Sequence, residues 1–282
     1  MGVLVEKNKN QRIVTFINIL GRLKKQNFTH VFLATASLML CLIIWQSLAQ
    51  LKVNLGLVNF SYVPTPVEVI NEVIVFFQLP TALAHLEASI IRVLSGFALA
   101  GIVGVTLGLI IGNYKLCASF LLTPLEIIRP IPAVAWIPLA ILIFPSSEAS
   151  MIYITFIGAL FPVLLNTIHG VESVDPRLIA SARSLGAAEL SIMREVIIPG
   201  SLPNIIIGLS IGMGTSWFCL VTAEMISGQL GIGYFTWESF TLQNYNSIVV
   251  GMLLIGALGM FSSALVRWIG KKITPWYHLR SC

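Results

Sequence analysis

Five windows of the chain, 28–49, 93–112, 150–169, 204–223 and 247–266, contain no Asp, Glu, Lys or Arg. At 1.5 Å per residue, a run of about 20 residues crosses a hydrocarbon core about 30 Å thick. The windows therefore read as transmembrane helices of an all-α, polytopic membrane protein. Composition agrees: 56% of the 282 residues are hydrophobic and 10% charged, whereas soluble domains carry about 25% charged residues. A soluble globular protein is excluded. The first window follows a polar segment of 27 residues and exceeds the apolar run of about 7–15 residues in a signal peptide, so it is expected to stay as a helix.

A sixth crossing is expected over 118–144, where an apolar run is interrupted by Arg129-Pro130-Ile131-Pro132 and resumes at Ala133. Proline removes a backbone donor and clashes with the preceding turn, so this crossing reads as one broken helix. Six crossings put both termini on one side. Lys7, Lys9, Arg12, Arg22, Lys24 and Lys25 precede the first window, and Arg267, Lys271, Lys272 and Arg280 follow the last. The positive-inside rule makes both ends cytoplasmic. The same orientation keeps Lys115, Arg177, Arg183 and Arg194 inside, giving 14 cytoplasmic residues out of 17 Lys and Arg. The net charge of +5 thus reflects topology, and no nucleic-acid partner is implied.

The organisation read from the sequence is a cytoplasmic segment 1–27, a first helix 28–49, an outer loop 50–92, a core of five helices over 93–268, and a cytoplasmic tail 269–282. Within the outer loop, Pro64–Gln78 mixes Glu68 and Glu72 with Val67, Val69, Ile70, Val73, Ile74 and Phe76, the pattern of an amphipathic helix on a membrane surface or of a connector over helix ends. Gly101, Gly104, Gly108 and Gly112 put small residues at spacings of three and four, which lets a neighbouring helix approach closely. Cys41, Cys117, Cys219 and Cys282 show no metal-binding or disulfide spacing.

The 170–203 loop is long for such a chain and is helical in pattern. Asp175 suits an N-cap, Pro176 the first helical position, and Leu178, Ile179, Ala182 and Leu185 recur at helical spacing before Gly186. A second short helix, Ala188–Ile197, is expected to end at Pro199 and Pro203. Two short amphipathic helices meeting at a glycine make either a cytoplasmic docking hairpin or a pair folded back on the membrane.

Ala180-Ser181-Ala182-Arg183-Ser184-Leu185-Gly186, followed after nine residues by Val196-Ile197-Ile198-Pro199, resembles the EAA loop of ABC-importer permeases. That motif runs Glu-Ala-Ala, three residues, Gly, nine residues, Ile-x-Leu-Pro; here Ala180 stands for its Glu and Ser181 for its first Ala. Three further stretches, Arg129–Ala140, Phe161–Thr167 and Ser216–Ile226, resemble the nitrate/sulfonate/taurine/bicarbonate subfamily, and the likeness covers residues 60–276. It implies a type I ABC importer permease fold (MetI-like) in a bacterial inner membrane. It also implies a homodimer with a second permease copy, two ATPase subunits holding ATP-Mg, and an extracytoplasmic substrate-binding protein or domain. The coupling contact would then fall on Ala180, Ser181, Ala182, Leu185, Gly186 and Pro199.

Ionisable groups at membrane depth cost at least a few kcal/mol and normally face a cavity or a partner. Arg129, at the break, could hold an anion in the pathway, pair with Glu126 one turn back, or snorkel inward. Glu224 could act in gating or contact a substrate amine, or it could pair with Arg92 if their helices are adjacent. Trp136 and Trp217 could line a pathway or pack in the core. The chain has no G-x-x-x-x-G-K-[ST] loop, so an ABC permease reading places energy coupling on another chain and makes this one no enzyme. The alternative is a secondary transporter or channel acting without an ATPase. Such carriers show inverted repeats and mid-membrane acidic or histidine relays, whereas His30, His85, His169 and His278 all fall near helix ends.

Overall fold

The computed structural model describes residues 32–54, 56 and 59–277. The 1–27 segment, the first four residues of the first expected helix and residues 278–282 lie outside the described residues. The chain separates into two compact units, Met1–Asn71 and Glu72–Cys282.

In the first unit, α1 (Phe32–Gln50) is apolar around its circumference and almost wholly exposed along its length, the condition of a helix whose solvent is lipid. Past it, the Trp45 indole N–H donates to the Pro64 carbonyl at 3.0 Å, fixing the start of α2 (Pro66–Gln78). That start is a capping box: Thr65 N–H donates to Glu68 Oε2 at 2.7 Å, and Glu68 N–H to Thr65 Oγ1 at 3.3 Å.

The second unit takes up the rest of α2. The Ser247 hydroxyl donates to Glu72 Oε1 at 2.5 Å, at the start of α11 (Tyr245–Ile273), where a helix N-terminus favours a carboxylate. Phe76 is buried edge-on against Phe235. Both acidic residues that made this segment read as amphipathic are thus spent on helix ends, and its remaining surface, Val67, Ile70, Ile74 and Phe77, is exposed and apolar. With the short turn before it, Phe60–Gln78 is long and apolar enough to cross a membrane. Among the described residues six helices meet that standard, and the bent pair below makes a seventh.

The framework of this unit is α3 (Ala82–Asn113), α6 (Ser147–Glu172) and α9 (Ile198–Ser227). A Cβ on Gly96, Gly104, Gly108 or Gly112 would meet Thr155, Val163, Thr167 or Val171 within 2.6–3.0 Å, each pair 59 positions apart. That constant offset makes α3 and α6 parallel, in contact along a stripe of small residues. Gly101 points elsewhere, with no atom nearer than 3.5 Å, and Gly96 takes its place in the stripe. Between α6 and α9 the register runs the other way, from Gly158 on Cys219 to Gly170 on Ser201, so α9 is antiparallel to both.

Parallel α3 and α6 require the chain between them to return across the bundle. It does so as α4 (Lys115–Ile128), a tight turn at Ala133–Trp136 and α5 (Ile137–Ile143), bent by 84°. The break falls at Arg129–Pro132, as its prolines dictate. The helix expected over 93–112 begins at Ala82, eleven residues earlier, because Arg92 lies inside it and is neutralised there.

After α7 (Pro176–Ser184) and α8 (Glu189–Ile192), the expected stop at Pro199 and Pro203 does not occur; the helix continues from Glu189 to Ser227. One widened turn, Met193–Ile197, precedes Pro199, with Ile198 N–H bonded five residues back to Met193 O. That register change makes room for the proline ring without ending the helix. A short α10 (Ile232–Thr241) then leads into α11.

Candidate translocation pathway and coupling hairpin

Three residues of α3 at helical spacing, His85, Ser89 and Arg92, face the turn between α9 and α10. Arg92 is 2% exposed. Its Nε donates to Glu148 Oε2 at 2.7 Å and its Nη2 to Glu148 Oε1, a bidentate pair. Its Nη1 donates to Glu224 Oε1 at 2.8 Å and to the Leu230 carbonyl. Glu224 is 0% exposed and fully bonded: Oε1 also accepts from Ser89 at 2.8 Å, and Oε2 from the Gly233 N–H at the start of α10, also at 2.8 Å. Ser89 Oγ in turn accepts from Ile232 N–H at 2.9 Å, and His85 Nδ1 lies against the Gly231 amide. An added Cβ at Gly231 would fall 2.2 Å from the Glu224 carboxyl carbon. Only glycine lets the turn approach the acid this closely.

Of the two readings open for Glu224, its geometry is that of an ion pair with Arg92, since α3 and α9 are neighbours. Glu148 joins that pair from the first turn of α6, a partner the sequence reading did not single out. The available signal was the i, i+4, i+7 spacing of His85, Ser89 and Arg92, with a capped acidic residue at the start of the next parallel helix.

Arg129 sits at the far end of α4, exposed at the 84° bend, and forms no ion pair with Glu126 among the described residues. Trp136 lies just beyond, packed against the cluster of Met151, Ile154, Met213 and Leu220. Its Nε1 is buried without a hydrogen-bond partner among the described residues, as is Ser216 Oγ on α9. Trp217 belongs to the same cluster, 4% exposed, with its indole N–H donating to Ser262 Oγ at 2.9 Å. The bend therefore carries a guanidinium unpaired among the described residues and, just beyond it, the unsatisfied buried indole N–H of Trp136, while Trp217 packs in the core.

The hairpin begins as its sequence dictates, with the Asp175 carboxylate accepting from Arg177 N–H at 2.9 Å and Pro176 at the first position. It turns through a Schellman motif: Gly186, at φ +81, donates to Arg183 O at 2.9 Å, and Ala187 N–H to Ala182 O at 3.1 Å. The inward face carries Ile179 and Ala182, packed with Met193 and Val196 on Val171, Ile192 and Ile197. Ala180, Ser181, Leu178, Leu190 and Gly186 face outward, and Leu185 projects from the tip at 88% exposure. Pro199 lies half-buried at the hairpin's base, beside Leu178 and Trp276. Arg183 is bonded to Glu189 across the turn through its Nε at 2.9 Å, which raises its pKa above the usual arginine value.

Parallel and antiparallel apolar helices, a crossing broken at Arg129 and a hairpin at one end define a polytopic helical membrane protein. Residues 104–277 match the family model of the binding-protein-dependent transport system inner membrane component. That is more than half of the chain, and the chain belongs to this family: it is a permease subunit of an ABC transporter, works with ATPase and substrate-binding partners, and is not an enzyme. An ABC transporter permease protein of Methanocaldococcus jannaschii is 39% identical over 84% of this chain and 89% of its own length. The nitrate import permease protein of Leptolyngbya laminosa is 32% identical over 68% of each chain. The bicarbonate transport system permease protein of Synechococcus elongatus is 34% identical over 66% of this chain and 67% of its own. Among solved structures, the inward-facing MetNI methionine ABC transporter superposes with a TM-score of 0.54, covering 68% of this chain and 94% of that one at 19% identity. That likeness speaks for the fold alone.

Proposed function

We propose that the chain forms, with a second copy of itself, the pathway by which a small anion enters the cell: nitrate, bicarbonate, taurine or another sulfonate. The observation that carries this reading is Arg129, an exposed guanidinium with no carboxylate partner among the described residues, at a proline break inside an apolar crossing. A fixed positive charge there offsets part of the cost of stripping water from an anion. Two copies would present two such charges, enough to attract an anion and weak enough to release it. Relatives named for nitrate and bicarbonate support an anionic cargo. Trp136 lines the same bend in this reading; Trp217 and Glu224 support it from behind, through core packing and the bond to Arg92.

Coupling is assigned to the hairpin, whose exposed Leu185 and outward Ala180 and Ser181 enter a groove of each ATPase, while ATP-Mg is bound and hydrolysed by those two partner subunits. The membrane is a bacterial inner membrane, with both termini and the hairpin in the cytoplasm; of the seven candidate spans α2 is then the one that does not cross, its Glu72 meeting the start of α11. The test is to purify the permease with its ATPase and binding protein and to measure ATP hydrolysis with each anion in turn. Stimulation by one of these anions is expected; failure of any ATPase to copurify, or stimulation by cations alone, would overturn the reading.

A further inference from the structure

We infer that Arg92 is a positioning residue for transport, and that its pair with Glu148 is a releasable tie between the broken crossing and the turn that joins α9 to α10. The inference rests on the permease reading above. Its basis is the unequal standing of the two carboxylates that Arg92 holds. Glu224 is wholly buried and keeps the Ser89 hydroxyl and the Gly233 N–H whether or not Arg92 stays. The Glu148 side chain is 56% exposed, and among the described residues Arg92 alone donates to it. Water can hydrate Glu148 as it leaves but cannot reach Glu224, so the Glu148 contact is the exchangeable half of the cluster, the one that opening of the corner can break, with water entering the gap to take up Arg92 Nε and Nη2.

The position of the exchangeable half gives it a task. Glu148 is in the first turn of α6, immediately after the corner that follows α5, and Ser150 Oγ donates to the α5 carbonyl of Ala140 at 3.1 Å. The corner therefore carries α5, and with it the bend that holds Arg129 and Trp136. On its other side Arg92 grips the Leu230 carbonyl and, through Glu224, the first turn of α10. Closed, the tie holds the corner against that turn at the end of the bundle opposite the hairpin. Released, it frees the corner while the Glu224 cluster stays intact. A binding protein docking at that end releases it.

The experiment uses the assembled complex of permease, ATPase and binding protein in nanodiscs. Glu148→Gln removes the exchangeable charge, and Arg92→Lys keeps a cation for Glu224 but loses the fork onto Glu148. Each is expected to raise hydrolysis without binding protein about threefold to tenfold and to shrink the stimulation that binding protein adds, because the tied state loses its advantage. A merely structural pair would lower the melting temperature and leave that stimulation ratio at the wild-type value, which would refute the tie. A wild-type complex that binding protein does not stimulate would instead overturn the proposed binding-protein-driven import. Should either variant fail to assemble, maleimide labelling of Ala140→Cys, buried on α5 at the corner, in the permease alone decides. Faster labelling with Glu148→Gln supports the tie, and an unchanged rate refutes it.

Discussion

Replacing Gly108 by alanine tests the helix register on which every placement above depends. The new Cβ would stand 2.6 Å from Thr167 Cβ and 3.0 Å from the Leu164 carbonyl oxygen. Thr167 cannot rotate aside freely, because it is fully buried and its hydroxyl donates to Val163 O at 2.7 Å. The helices must therefore part. Overpacking of this kind costs about 1–3 kcal/mol, and alanine recovers about 0.5–1 kcal/mol through helix preference, leaving a net loss of about 1–2 kcal/mol. At about 2–4 °C per kcal/mol for a chain of this size, the apparent melting temperature in detergent should fall by about 2–8 °C. Gly101→Ala is the control: its nearest neighbour is the flexible Leu209 side chain at 3.5 Å, so its melting point should hold or rise. The assay is the fraction of monodisperse protein after heating. Equal melting of the two variants would mean that α3 does not meet α6 through the stripe containing Gly108.

Two further outcomes follow from the faces and the charge distribution. Leu185→Asp should leave melting unchanged and abolish ATPase retention in detergent, whereas Ala182→Trp, aimed into Val171 and Ile192, should lower the melting temperature; retention of the ATPase by the Leu185 variant would move the contact elsewhere. On a cysteine-free background, cysteines at 56 and 240 should react with an impermeant maleimide from outside and those at 10 and 187 should not, and the reverse pattern would invert the orientation.

The charge-free windows were legible because lipid tolerates only apolar helices, yet the same criterion clipped α3 at residue 93. Arg92 read as a boundary because its partners lie 56 and 132 positions away, a separation no local pattern reveals. The break at Arg129-Pro130-Ile131-Pro132 was legible, since proline acts locally, and the bend is where those residues put it. Pro199 and Pro203 misled for a related reason: a widened turn at Met193–Ile197 absorbs the first of them. In the hairpin, Asp175, Pro176 and Gly186 could be read directly, because caps and left-handed turns have their own chemistry. Which of Ala182 and Leu185 faces out could not, since that depends on where Val171 and Ile197 stand in space. Arg129 and Glu126 share a spacing that suits an ion pair, but the chain turns away at Arg129 and no such pair forms among the described residues.

The role of Arg129 is tested most directly by anion uptake per ATP hydrolysed in proteoliposomes that contain the permease, its ATPase and its binding protein. Arg129→Gln should cut uptake severely while assembly and basal hydrolysis stay at wild-type levels, and Arg129→Lys should retain part of the uptake because the charge survives without the planar fork. Uptake at the normal rate by the Gln variant would contradict a pathway role for Arg129; a fall in expression and melting temperature shared with Glu126→Gln would instead assign it to a structural pair.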